Sequence, residues 1–346
     1  MAVKRKISLW AFLFFIAPAL YSAETIYRPY DVYFPGARSA GAGGTSAANI
    51  DSIGMLPGNT AYLAEINHSA LSLGFDAQTR ITSLNTKLSI KPQYLPIIAL
   101  GFPVHTNSGA GIMIYSPFQR YFPDGDFLMY NIEGAFAHTV SENLSIGVSC
   151  GVALGIQAKE YFGTGFSYGA AFLFRHNLFD AGLHIKPGAT LKYKPFANGK
   201  NLKESMPHII RAGVSKKLNS IKFSFDLQYN EYSYIYFIED EQNLAPDFEK
   251  GFLGRINMHA GFDFLLSFWK GLHFRTGFLT DDYYDHTGKN EKQILFTLGF
   301  GGFAGSDLWE EKLKIDISLI SAYLPSFFWK KSHQIEKFQA TIEFVF

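Results

Sequence analysis

From about residue 68 to the last residue, apolar and polar side chains alternate one by one. This is the period of an extended strand whose two faces meet different surroundings. The C-terminus carries the pattern at its clearest. Phe338, Ala340, Ile342, Phe344 and Phe346 share one face, while Lys337, Gln339, Thr341 and Glu343 share the other. Leu313, Ile315, Ile317 and Leu319 oppose Lys312, Lys314, Asp316 and Ser318. Ile221, Phe223, Phe225, Leu227 and Tyr229 oppose Lys222, Ser224, Asp226, Gln228 and Asn230, and residues 144–157 and 164–175 repeat the scheme. Such runs are longer than the roughly five or six residues of a strand in a compact sandwich. They suit strands of about 9–11 residues that cross a bilayer at a tilt, apolar towards lipid and polar towards the lumen.

Fourteen segments are predicted: 68–76, 95–104, 109–117, 128–140, 143–157, 164–175, 180–193, 207–217, 220–232, 255–267, 271–280, 292–304, 312–322 and 335–346. Residues 79–90 are also strand-like and could extend a hairpin beyond the membrane. The even number is that of bacterial single-chain barrels, and the connections support it. Those after even-numbered strands are mostly short, as at His105–Ser108 and Ser141–Glu142; those after odd-numbered strands are mostly long, as at 194–206 and 233–254. Short periplasmic turns and long outer loops then require both termini on the periplasmic side. The terminal Phe346 resembles the signal read by the bacterial barrel-assembly machinery.

Composition narrows the alternatives. The chain of 346 residues is 47% hydrophobic and 18% charged, with 34 Phe and 19 Tyr. A mean hydropathy of +0.02 excludes a bundle of membrane helices. A net charge of +1 gives no reason to expect a nucleic-acid partner. With Cys150 as the single cysteine there is neither an intramolecular disulfide nor a multi-cysteine metal site. At the N-terminus, Lys4-Arg5-Lys6 precede an apolar stretch from Ile7 to Ala17, and Ala17-Pro18-Ala19 has small-x-small spacing. Residues 1–23 therefore read as a signal peptide that sends the mature chain out of the cytoplasm.

Residues 24–66 do not alternate. The run Gly36-Ala37-Arg38-Ser39-Ala40-Gly41-Ala42-Gly43-Gly44 is built of small residues, and Asp51 to Ala64 follows as turns or a short helix. This segment has too little apolar surface to fold alone, yet Ile50, Ile53, Met55, Leu56, Tyr62 and Leu63 would be wasted in a flexible tail. Its place is the lumen, as a plug ahead of a barrel at 67–346. The glycines at 41, 43 and 44 should allow close approach to the wall. Arg38, the only cation of residues 36–64, should find a carboxylate inside.

The Gly36-to-Gly44 run, with Leu56-Pro57-Gly58-Asn59-Thr60-Ala61-Tyr62-Leu63 behind it, resembles the FadL/TodX family of outer-membrane transporters. The first run is similar to that family's Gly-Ala-Arg and small-residue stretch, the second to its Asn-Pro-Ala-Gly-Leu-Ala stretch. The resemblance implies a hatch that includes Gly36, Arg38, Gly41, Gly43, Gly44, Pro57 and Asn59. It also implies a hydrophobic cargo, long-chain fatty acids or other hydrophobic molecules, that diffuses passively and exits sideways through a kinked strand.

Other motifs carry less. Gly165-Phe166-Ser167-Tyr168-Gly169 matches a nucleophile elbow, but Ser167 lies in an alternating run rather than at a strand-to-helix turn. His184 is the nearest partner a barrel-embedded lipid enzyme would have. Asp281, Asp282, Asp285 and His286 fall in an expected outer loop, where they could hold Ca²⁺ or simply be solvated. No cofactor and no metal site is expected. Parity aims His184, Lys186, Lys192, Arg211, His259, His273 and Arg275 into the lumen, with Asp226, Asp263 and Glu343 as partners. Of these, His184, Lys186, Arg211, His259 and Arg275 are the candidate ligands for a fatty-acid carboxylate. The expected function is a hatch-plugged outer-membrane channel for hydrophobic small molecules. The alternatives are a general porin or structural barrel, and, further off, a lipid enzyme.

Overall fold

The computed structural model describes residues 31–32, 35–80, 89–122, 125–157, 161–194, 202–231, 237–239, 242–243, 255–266, 271–284, 290–303, 313–321 and 335–346. The expected signal peptide, with Asp285 and His286, lies outside them. Among the described residues no helix is long and apolar enough to cross a membrane. Fourteen antiparallel strands close into a barrel.

In chain order these are β1 (Ala70–Arg80), β2 (Ser89–His105), β3 (Ser108–Tyr115 and Phe118–Phe122), β4 (Gly125–Ser141) and β5 (Leu144–Gln157). They continue as β6 (Tyr161–Arg175), β7 (Asp180–Lys186 and Thr190–Lys194), β8 (Leu202–Ser205 and His208–Leu218) and β9 (Ile221–Glu231). The last five are β10 (Ile256–Leu266), β11 (Leu272–Tyr284), β12 (Asn290–Phe303), β13 (Leu313–Ser321) and β14 (Ile335–Val345). Each pairs with its neighbour, and β14 closes on β1 from Ala70↔Val345 to Arg80↔Ile335.

The outer face is the apolar set predicted from alternation. Phe75, Ile112, Val148, Phe166, Val214, Phe278, Phe300 and Phe338 are exposed, and their strand neighbours turn inward. Phe223, Phe262, Phe264, Phe274 and Phe300 form a chain of ring contacts with centroids 5.1 to 6.1 Å apart, near the short-turn end. Aromatic girdles of this kind mark a membrane interface. Outward Phe223, Phe225, Leu313, Ile315, Phe344 and Phe346, and inward Ser224 and Lys314, keep the predicted parity.

Three strands are broken, each beside a proline: β3 at Ser116-Pro117, β7 at Pro187-Gly188-Ala189 and β8 at Met206-Pro207. Proline has no N–H for the ladder, so a strand that carries one bends or bulges there. Between Ala170↔Ile185 and Thr164↔Lys192 the β6–β7 ladder is interrupted and restarts one residue out of register. The slip reverses the facing of β7. Leu191 and Tyr193 are buried, and Lys192, expected in the lumen, is exposed. Beyond Ile97↔Tyr115, β2 and β3 no longer pair; the second segment of β3 pairs with a two-residue strand, Asp31–Val32.

The lumen is filled. Helix α1 (Gly36–Gly41) and two 3₁₀ turns, Ile53–Gly58 and Thr60–Glu65, lie inside the barrel. Side chains of Ser52 and Asn59 cap the two turns by accepting from Gly54 N and Ala61 N. Alternation predicts polar side chains towards the lumen, yet inward positions of the wall also include Ile97, Met113, Leu173, Leu279, Leu295 and Ile320, all essentially without solvent contact. Ile53, Leu56 and Leu63 pack on Ile97, Ala99 and Met113; Ile50, Met55 and Ala61 pack on Ala171 and Leu173; Ala40 meets Leu279, Leu295 and Ile320.

Candidate functional site

The seat of the plug is written into the wall. Thr341 Oγ1 accepts from Ala37 N at 2.9 Å, and Thr297 Oγ1 accepts from Gly43 N at 3.0 Å while donating to Gly41 O at 2.9 Å. Asp226 accepts from Ser46 N and Ala47 N at 2.7 and 2.9 Å, and Glu343 accepts from Ser52 Oγ and Ile53 N at 2.5 and 2.9 Å. Arg175 donates to Ala48 O and Ile50 O and pairs with Glu65 and Asp180. Wall side chains thus satisfy backbone groups that a poorly structured segment would otherwise bury unpaired.

The hatch residues sit as follows. Gly36 opens α1 at φ 73°. Arg38 pairs with Asp51 at 2.7 Å and with Asp263 at 3.4 Å. A Cβ on Gly41 would lie 2.9 Å from Gly299 Cα. At Gly43, with φ 70°, a Cβ would come within 2.1 Å of Ala260 O, so neither backbone angle nor space admits a side chain. Gly44 offers its carbonyl to Arg211. Pro57 lies within the first 3₁₀ turn. Asn59 donates to Ala47 O at 2.6 Å and to Phe172 O at 3.0 Å, tying the plug to itself and to β6.

Between plug and wall, beside all three strand breaks, lies a cavity of about 50 Å³, room for a few waters. The plug contributes Pro35, Pro57 and Gly58. The wall contributes Tyr115 and Pro117 of β3, Met129 and Asn131 of β4, Ser167 of β6, His184 to Ala189 of β7 in part, and Pro207, Ile209 and Arg211 of β8. Behind it stands a buried carboxylate, Glu133, fully shielded from solvent. It pairs with Lys186 and accepts from Tyr115 at 3.0 Å, Asn131 at 3.0 Å and Ser167 at 2.6 Å. The Ser167 hydroxyl therefore donates to a carboxylate and not to His184, so the Ser–His pair that the elbow motif would need is not formed.

Alternation brings five candidate cations into the lumen, and the structure divides them. His184, Lys186 and Arg211 line the cavity. His259 sits against Gly43 O at 3.2 Å, and Arg275 joins Asp263 at 2.9 Å and Asp316 at 2.6 Å beneath α1, with His273 on the same Asp263. Those two serve the seat of the plug and do not reach the cavity. Asp282, expected in a solvated loop, is an inward residue of β11 bonded to Asn257 and Lys292. Among the described residues no group of three or more potential metal ligands occurs. Sequence reading passes over Asn131 and Glu133 of the cavity network. Their signal is available: two polar residues at inward positions of an otherwise apolar, glycine- and alanine-rich strand.

A closed barrel whose N-terminal segment fills its lumen, with a cavity between the two, defines the class: a plugged β-barrel fold. Solved structures share it. The CymD monoaromatic hydrocarbon channel superposes with a TM-score of 0.68 at 16% identity, covering 92% of this chain and 99% of that one. A FadL homologue of Pseudomonas aeruginosa gives 0.67 at 12% identity, with 91% and 99% covered. The toluene transporter TodX of P. putida gives 0.61 at 12% identity, with the same coverage. No protein-family model and no curated protein sequence matches the chain. At such identities the likeness is one of fold.

Proposed function

We propose that this chain is an outer-membrane channel for hydrophobic small molecules, plugged at rest by residues 35–66. The observation that carries the reading is the cavity held between the plug and the three proline breaks, inside a barrel with an apolar outer face. A general porin needs an open aqueous lumen, and here the plug fills it with apolar side chains. The neighbours described as a monoaromatic hydrocarbon channel and a toluene transporter support a hydrophobic cargo; fatty acids belong to the same broad class. Transfer is passive diffusion down the cargo's gradient, without covalent chemistry, and the seam beyond Ile97↔Tyr115 is the side exit. Delivery to the outer membrane begins with a signal peptide at 1–23, and the barrel-assembly machinery reads the last strand through Phe346.

Deleting residues 24–64 tests the reading. The barrel should still insert, because the deleted segment pairs with the wall strands only through Asp31–Val32 at the end of β3. Single-channel conductance in planar bilayers should rise several-fold, and selectivity for hydrophobes over small sugars in liposome assays should vanish. Unchanged conductance with intact hydrophobe uptake would favour a structural barrel.

A further inference from the structure

The bonding of the cavity's cations argues against an anionic cargo. Lys186 is spent on Glu133. Arg211 directs Nε and Nη2 at Gln228 Oε1 and Nη1 at Gly44 O and Ser46 Oγ. An incoming carboxylate would therefore have to displace bonds that both cations already make. Expelling Glu133 from Lys186 to make room would strand a buried charge.

One polar side chain at the cavity is differently placed. His184 is 8% exposed, lines the cavity, and has no hydrogen-bond partner among the described residues. It lies in register with Arg211 on β8 and Ala171 on β6. A buried polar group without a partner is exceptional in a folded protein. In its neutral form the imidazole offers one N–H and one lone pair. Around it the lining from Pro57, Pro117, Met129 and Ile209 is apolar.

We infer that the cavity, widening from its resting volume as the plug yields, takes a small, uncharged molecule with an apolar body and one hydrogen-bonding group, a hydroxyl or carbonyl, which His184 anchors. This rests on the channel reading above and narrows its cargo: plain hydrocarbons leave His184 unsatisfied, and carboxylates meet cations whose donors are already engaged.

Three probes of one skeleton separate these cases: benzyl alcohol, toluene and benzoate, titrated calorimetrically against the protein in nanodiscs, with empty nanodiscs as reference. Wild-type protein should bind benzyl alcohol about tenfold more tightly than toluene, the range of one good hydrogen bond, and benzoate more weakly than the alcohol. His184→Leu should bring the alcohol down to the level of toluene without weakening toluene, and His184→Gln should restore most of the preference. Benzoate binding tighter than benzyl alcohol in wild-type protein overturns the inference, even should the Leu variant fail to fold. An alcohol-to-toluene ratio unchanged in His184→Leu overturns it too. In both cases toluene binding leaves the hydrophobic-channel reading standing. Absence of binding by all three probes removes both.

Discussion

The arc from β9 through β14 to β1 and the arc from β2 to β8 are woven from the same alternation, yet one is regular and the other broken. From β9 to the closure on β1 every ladder runs without a register shift. No proline falls in the described strands of that arc. The other arc holds Pro92, Pro96, Pro103, Pro117, Pro187 and Pro207. The regular arc presents Thr297, Thr341, Asp263 and His259, which hold α1 and the glycine run, and Glu343, which holds Ser52 and Ile53. The broken arc gathers the cavity around its interruptions. Rigidity and an opening are thus obtained from one pattern by where proline removes ladder bonds.

The two arcs separate most sharply when a buried carboxylate is removed from each. Glu133→Ala leaves Lys186 without its ion-pair partner and should lower stability by about 3–5 kcal/mol in denaturant titrations of the folded barrel. Asp263→Ala deprives Arg275, Arg38 and His273 of a shared partner, but Arg275 keeps Asp316 and Arg38 keeps Asp51, so the loss should be smaller. Only Asp263→Ala should also raise single-channel conductance, because Asp263 touches the plug and Glu133 does not. Equal conductance changes would erase the distinction between the arcs.

Next comes the fit of backbone to backbone. A Cβ on Gly261 would come within 2.1 Å of Ala42 O, whereas one on Gly134 meets nothing within 4 Å. Gly261→Leu should displace the glycine run, destabilise by about 1–3 kcal/mol through overpacking, and produce intermittent channel openings. Gly134→Leu should leave both readouts as they were. A smaller effect is expected from Pro187→Ala, which returns one N–H to β7. It should add no more than about 1 kcal/mol and slow amide hydrogen exchange over residues 165–169. Unaltered exchange there would mean that the break has a cause other than the missing donor.

Much of this is legible in the sequence, for a physical reason: a membrane wall keeps every second, outward position apolar where its ladder is unbroken. In β13 and β14 alternation places each of Leu313, Ile315, Phe338 and Phe344 on the outer face. It fails at Lys192, because a one-residue slip at Pro187-Gly188-Ala189 inverts every later side chain of that strand. The prolines are visible in the sequence; the slip in register beside them is not. The plug is legible as small residues that need a host, and Arg38 as a charge that needs a partner. What pattern alone does not supply is the grouping across strands. Parity says that His184 and Arg275 both face inward, and only the closed barrel tells that one meets the cavity and the other the plug.

The smallest expected effect is none at all, and it tests the seat of the plug from the plug's own side. Burial alone would push the Asp51 carboxyl up. Arg38 foremost, then Lys314, Lys222 and Arg275, more than reverse this and hold it well below its usual value of 3.8. Arg38, more deeply buried, is held above its ordinary range by Asp51, Asp316, Asp263 and Glu343. A carboxylate whose folded pKa is depressed contributes stability that is complete above the unfolded value and is lost only as pH falls through the folded one. Between pH 7 and pH 5 the Arg38–Asp51 pair is therefore fully charged, and conductance should stay at its resting level. The Asp51 side chain is 37% exposed, so salt should weaken the pair where acid does not. Channel openings that appear on acidification to pH 5 at constant salt would show that some group other than Asp51 governs the latch. Openings that rise with salt at pH 7 in the wild type, and that no longer respond to salt in Asp51→Asn, would place the latch at this pair.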